Sequence, residues 1–191
     1  MTSVLSVGEI LCAAPDVCPL TKKVEPLASM QRYKRTQAEY DFLISQSEMS
    51  LYDVGRAMDC KWYARAAFNL HQAVEFSLKA ALVVFEELRP QAHRLDVLGS
   101  MLASYTDGIG TPVPADVKDA GRLNEILEGG YVDARYDMNF VVSHSELLRL
   151  HDYVEALTQR VEALCTVHLD GMAQAAGGDP DNSRASSSDA R

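Results

Sequence analysis

Apolar residues recur along this chain at helical spacing, and no strand period interrupts them. Between Gln31 and Met58, the positions Tyr40, Leu43, Ser47, Leu51, Val54 and Met58 fall at alternating steps of three and four, the mark of an amphipathic helix. The stretch from Cys60 to Leu88 is denser. Ala66, Ala67, Leu70, Ala73, Val74, Leu78, Ala81 and Val84 cover most of a helical circumference, which predicts a central, buried helix. Arg89-Pro90 ends it, because proline disfavours the helical state in the residue before it. A short apolar segment, Leu95 to Tyr105, leads into the loop TDGIGTPVPAD. Ala115 to about Tyr136 is predicted to be helical again, weakened at Gly129-Gly130. The last helix is the best marked. Ser143 and Glu146 form a capping box, and Leu147, Leu150, Val154, Leu157, Val161 and Leu164 make a three-four seam for packing on another helix. Phe140-Val141-Val142 is too short for a strand. The expected fold is all-α, an up-and-down bundle of four to five helices.

Composition sets the limits of that bundle. Residues 1–27 carry Pro15, Pro19 and Pro26 without a sustained period and read as an extension; residues 28–169 form the bundle. Residues 170–191, rich in Gly, Ala, Ser, Asp and Asn, read as a disordered tail. With 18 basic and 27 acidic residues the formal net charge is -9, which excludes a wholly basic nucleic-acid-binding surface. Any phosphate contact has to rest on a local cluster of Arg, Lys and His. Cys12, Cys18, Cys60 and Cys165 lack the close pairing of zinc or redox motifs, so Cys60 and Cys165 read as small core residues in a reducing compartment. Neither metal nor cofactor is expected. Glu9 and Asp16 interrupt the mildly apolar start, against a signal peptide, and no uncharged run approaches a membrane span. The protein reads as cytoplasmic.

Three polar sets stand out from this apolar background. His71, Glu75 and Lys79 are spaced four apart on the central helix and stack along one face. Burying an imidazole, a carboxylate and an ammonium costs free energy unless they pair. The second set is His93-Arg94, in the turn after Pro90. The third is Tyr131, Asp133, Arg135 and Tyr136.

In this order and at these separations the sets resemble the HEPN family, the higher-eukaryote and prokaryote nucleotide-binding domains. The resemblance spans about residues 38 to 168 and is carried by LHQAVEFSLKAAL at 70–82, AHRLDVL at 92–98 and GYVDARYDMNFVVSHSEL at 130–147. It is closest to the HEPN modules that accompany bacterial nucleotidyltransferase domains. No such domain fits in the first 37 residues, so a nucleotidyltransferase partner would be separately encoded. The resemblance implies a helical bundle, commonly a homodimer, that either binds nucleotides or acts as a metal-independent ribonuclease, often a toxin. In the ribonucleases an Arg and a His four to six residues apart face a partner's copy. Here Arg135 and His144 have eight residues between them. Arg65 and His71 match by count, but six positions on a helix turn through about 240°, so the two side chains diverge.

Two chemistries follow for the site. A nucleotide- or RNA-binding site would place Lys79 and Arg135 on phosphate and stack Tyr131 or Tyr136 on a base, with Glu75 and Asp133 orienting the cations. A ribonuclease that activates a 2'-hydroxyl would draw acid, base and cation from His71, His93, Arg135 and His144, with Lys79 as a second cation. A third reading needs no ligand: His71, Glu75 and Lys79 form a buried network with Asp133 and Arg135 and serve only to hold helices in register.

Overall fold

The computed structural model describes residues 29–105 and 109–177. The expected extension, with Cys12 and Cys18, and the residues beyond Gly177 lie outside these. Among the described residues six helices occur: α1 (Ser29–Asp59), α2 (Tyr63–Glu86), α3 (Leu95–Leu102), α4 (Ala120–Gly129), the single turn α5 (Asp133–Tyr136) and α6 (His144–Gly177). No strand occurs among the described residues, and no helix is long and apolar enough to cross a membrane.

The dense apolar pattern of α2 places it at the centre, where it touches each of the other five helices. Leu70, Leu78 and Leu82 have no exposed surface, and each such side chain stabilises the fold by about 1.5–3 kcal/mol through removal from water. α1 and α2 form a hairpin whose turn is set by Lys61, at φ 59°, with Trp62 N–H donating back to the Ala57 carbonyl at 2.8 Å. The turn starts α2 at Tyr63 rather than Cys60. Cys60 is therefore exposed, not a core residue, whereas Cys165 is buried, its thiol pushed up to about 12 by burial and by Glu162.

α6 lies across α1 and α2. Its capping box forms as expected: Ser143 N–H donates to Glu146 Oε2 at 2.7 Å, and Glu146 N–H donates to Ser143 Oγ at 3.2 Å. The seam holds from Leu147 to Val161, then drifts. Leu164 is 41% exposed and Cys165 and Leu169 replace it in the core, because a straight helix of 3.6 residues per turn rotates away from a strict three-four repeat. The helix also continues past Leu169, where the composition changes, to Gly177, with Ala176 fully buried.

The stretch predicted as one helix from Ala115 to Tyr136 is divided. Asp119, at φ 61°, starts α4, and Gly130-Tyr131-Val132 separates α4 from α5. Between α3 and α4, residues 109–113 are anchored to the bundle. Ile109 and Val113 are buried, and the backbones of Gly99 and Gly110 approach so closely that a Cβ on Gly99 would stand 2.2 Å from the Gly110 oxygen. Glu128 of α4 caps α3 across the gap, accepting from Asp96 N–H at 2.8 Å and Leu95 N–H at 3.3 Å.

A buried hydroxyl chain ties the three long helices together. Ser47 of α1 donates to the Ala73 carbonyl at 2.9 Å and stands 2.8 Å from Ser77 of α2, which in turn stands 3.0 Å from Thr158 of α6. Thr158→Val keeps the shape and removes the last hydroxyl of the chain. We expect it to lower stability by about 1–2 kcal/mol in urea denaturation; a stability equal to wild type would mean that the chain contributes nothing.

Candidate functional site

The polar stripe of α2 converges on one carboxylate. Glu75 is 3% exposed, and both of its oxygens are occupied. Oε1 accepts from Lys79 Nζ at 2.8 Å and from His93 Nδ1 at 3.0 Å. Oε2 accepts from Gln72 Nε2 at 3.1 Å, with His71 Nε2 at 3.4 Å, within ion-pair reach but without hydrogen-bond geometry. Burial alone would raise the Glu75 pKa. The His71 imidazole close beside it, the hydrogen bond from Lys79, and the charges of Lys79 and His93 outweigh it and hold the carboxyl down to about 2, from an ordinary 4.5.

His71 and Lys79 are themselves buried. His71 Nδ1 stands 2.8 Å from the Leu127 carbonyl; a carbonyl only accepts, so Nδ1 carries the proton and donates. This contact requires the end of α4 to lie against α2, and Gly130 permits it. A Cβ at Gly130 would stand 2.7 Å from the Ala67 oxygen and 2.9 Å from His71 Cβ. The same approach delivers the next residue, Tyr131, onto the imidazoles. Its ring stacks on His93 at 4.6 Å and 10°, and on His71 at 5.3 Å and 28°.

Above this buried layer lies an exposed one. Arg135 donates from Nε to the Tyr131 carbonyl at 2.6 Å. Its guanidinium carbon lies 4.6 Å from the centroid of Tyr131, 5.1 Å from that of Tyr136 and 5.1 Å from that of Phe68. Arg65 reaches the Phe68 ring as well, at 4.9 Å. Tyr136 is 75% exposed.

The structure thus brings together His71, Glu75, Lys79, His93, Tyr131, Arg135 and Tyr136, and it separates others. Asp133 makes no ion pair among the described residues; its carboxylate lies beside Gly129. The buried network therefore closes through His93 and the Leu127 carbonyl rather than through Asp133 and Arg135. Lys79, expected on phosphate, spends its charge on Glu75. His144 opens α6 beside Tyr63, ring centroids 5.9 Å apart, and no hydrogen bond, ion pair or ring contact joins it to Arg135 among the described residues. Arg65 and His71 do diverge, one exposed and one buried. Sequence reasoning missed Gln72 and Phe68 and set Arg65 aside. For the last two a signal was present, since an Arg and a Phe three apart share a helix face.

The HEPN domain family profile matches residues 40–164, and the chain belongs to the HEPN domain family. That span runs from the middle of α1 into α6 and contains every residue of the site. At the family level the fold is that of a nucleotide- or RNA-related module. No curated protein matches the chain.

The Glu75 centre makes a prediction about stability and pH. Glu75→Gln leaves the buried Lys79 ammonium without a counter-charge and should cost about 3–5 kcal/mol. The wild-type carboxyl binds a proton less readily folded than unfolded, so its contribution is present above its ordinary value of 4.5 and is lost as pH falls toward about 2. Denaturation curves across that window should show wild-type stability falling with acidification more steeply than that of Glu75→Gln. Equal slopes would contradict the assignment.

Proposed function

We propose that this HEPN domain is a nucleotide- or RNA-binding module whose ligand lies on the face formed by Tyr131, Arg135 and Tyr136 above the Glu75 network. One observation carries the reading: in a chain of net charge -9, cationic and aromatic side chains interleave on one exposed face, and no carboxylate holds the guanidinium of Arg135 among the described residues. Aromatic rings stack on bases while guanidinium groups take phosphate, a pairing that tolerates any base sequence. In this reading Glu75 and Lys79 do not touch the ligand. They fix His93 and, through it, Tyr131.

A second reading, a metal-independent ribonuclease, is favoured by the Glu75–His93 pair. A buried carboxylate that accepts from His93 Nδ1 leaves Nε2 of a 48% exposed imidazole side chain unengaged, the arrangement of an oriented general base. The proposal also includes a separately encoded partner, such as a nucleotidyltransferase, and a homodimer. Phe42, Met49 and Tyr52, at heptad-like spacing on α1, are each at least half exposed and support pairing through α1.

Three measurements test these readings. Full-length chain should bind single-stranded RNA or ATP, and Arg135→Ala should weaken binding about tenfold or more with an unchanged thermal midpoint; unchanged affinity would sink the binding site. In the same mixtures, with chelator present, RNA cleaved by wild type and spared by His93→Ala would select the second reading, and intact RNA would remove it. For the dimer, sedimentation should show a Met49→Glu chain of half the wild-type mass; identical masses would rule out the α1 interface.

A further inference from the structure

Arg65 and Arg135 reach the same aromatic ring from different elements. Arg65 precedes Phe68 by three positions on α2, Arg135 comes from α5, and both guanidinium carbons lie within about 5 Å of the Phe68 centroid, at 4.9 Å and 5.1 Å. Two like charges that each lie this near one ring centroid stand no more than about 10 Å apart and repel each other, and the ring quadrupole offsets only part of that cost. Of the eight other arginines among the described residues, five hold or face an acid, while Arg56, Arg89 and Arg160 do not. Arg32 holds Glu87, Arg35 holds Glu39, Arg94 holds Asp96, Arg122 holds Glu146 and Arg149 faces Asp119. Among the described residues no carboxylate holds either Arg65 or Arg135.

Their donors are also unspent. Arg135 uses Nε on the Tyr131 carbonyl, which leaves its four terminal N–H groups. Arg65 makes no hydrogen bond among the described residues. The half-buried Phe68 ring is a contact that both share. Lys79 is the obvious competitor for an anion, but it is buried and bound to Glu75.

We infer that Arg65 and Arg135 form a clamp for the phosphate group of a nucleotide, with Tyr136 beside it as the surface for the base. This rests on the nucleotide-binding reading of the same face; it adds phosphate as the recognised chemistry and Arg65 as the second jaw. Guanidinium forks match pairs of phosphate oxygens, and two forks on one phosphate satisfy its charge where a single lysine would not fix its orientation. Tyr131 already carries His93 stacked on it and Arg135 over its ring. Among the described residues the Tyr136 ring meets only Arg135, and most of its surface faces solvent.

The test compares AMP, adenosine and a short single-stranded oligoadenylate, each titrated by calorimetry into the full chain as wild type, Arg65→Ala and Arg65→Lys. Arg65 is exposed, so both variants should keep the wild-type thermal midpoint. AMP is expected to bind wild type about tenfold or more tighter than adenosine. Arg65→Ala should abolish that preference while leaving adenosine unchanged, and Arg65→Lys should restore part of it. If AMP binds no tighter than adenosine but the oligonucleotide loses affinity in Arg65→Ala, the clamp stands and the phosphate it takes is a phosphodiester within a strand. An AMP preference and an oligonucleotide affinity both undiminished in Arg65→Ala overturn the clamp and leave the nucleotide-binding face standing. If wild type binds none of the three, the face falls with it.

Discussion

The organisation of this domain depends on one buried carboxylate. Glu75 sits at the middle of the central, largely buried helix α2, where an unpartnered charge would cost several kcal/mol. Its four neighbours meet that cost, and three of them are fixed in place by doing so. Lys79 and His71 come from the same helix one turn either side. His93 comes from the segment before α3, and it is drawn over α2 because its imidazole is one of the donors that the carboxylate takes. Tyr131 then has two imidazole faces to stack on. A charge in the core thus determines where an aromatic ring and an arginine stand on the surface.

This two-layer arrangement separates stability from recognition. The lower layer, His71, Glu75 and Lys79, is buried and mutually paired. The upper layer of Arg65, Arg135 and Tyr136 around the half-buried Phe68 contributes exposed cations and an exposed ring, the cations without acidic partners among the described residues. Gly130 joins the two, since only a residue without a side chain lets the end of α4 come close enough for the Leu127 carbonyl to receive His71. Small shifts at Gly130 therefore move Tyr131 and, with it, the backbone that holds Arg135.

Much of this was legible before any coordinates. The helical periods located α1, α2 and α6, and the apolar circumference of α2 identified the central helix. The His71, Glu75, Lys79 stripe was visible as an energetic problem needing partners. What the periods did not carry was long-range pairing. Asp133 was the plausible acid for the network by composition, whereas the observed closure uses His93 and a backbone carbonyl, groups with no sequence pattern of their own. The boundaries shifted for local reasons of the same kind: Lys61 in a left-handed conformation moved the start of α2 and exposed Cys60, and the drift of a straight helix exchanged Leu164 for Cys165. Arg65 was set aside because its direction diverges from that of His71. That divergence is real, and it is what carries Arg65 to Phe68 and into reach of Arg135.

The central claim is that Glu75 organises a surface whose free cations and rings take a nucleotide. The most direct measurement is a crystal structure of the full chain with AMP or a short oligoadenylate. The account predicts the phosphate between Arg65 and Arg135 and the base against Tyr136, with Glu75 still holding Lys79 and His93 beneath. A nucleotide seated instead in the cavity of about 560 Å³ between α3 and α4, lined by Asp96, Ser100, Asn124 and Glu128, with the Arg65 and Arg135 groups unliganded, would contradict it.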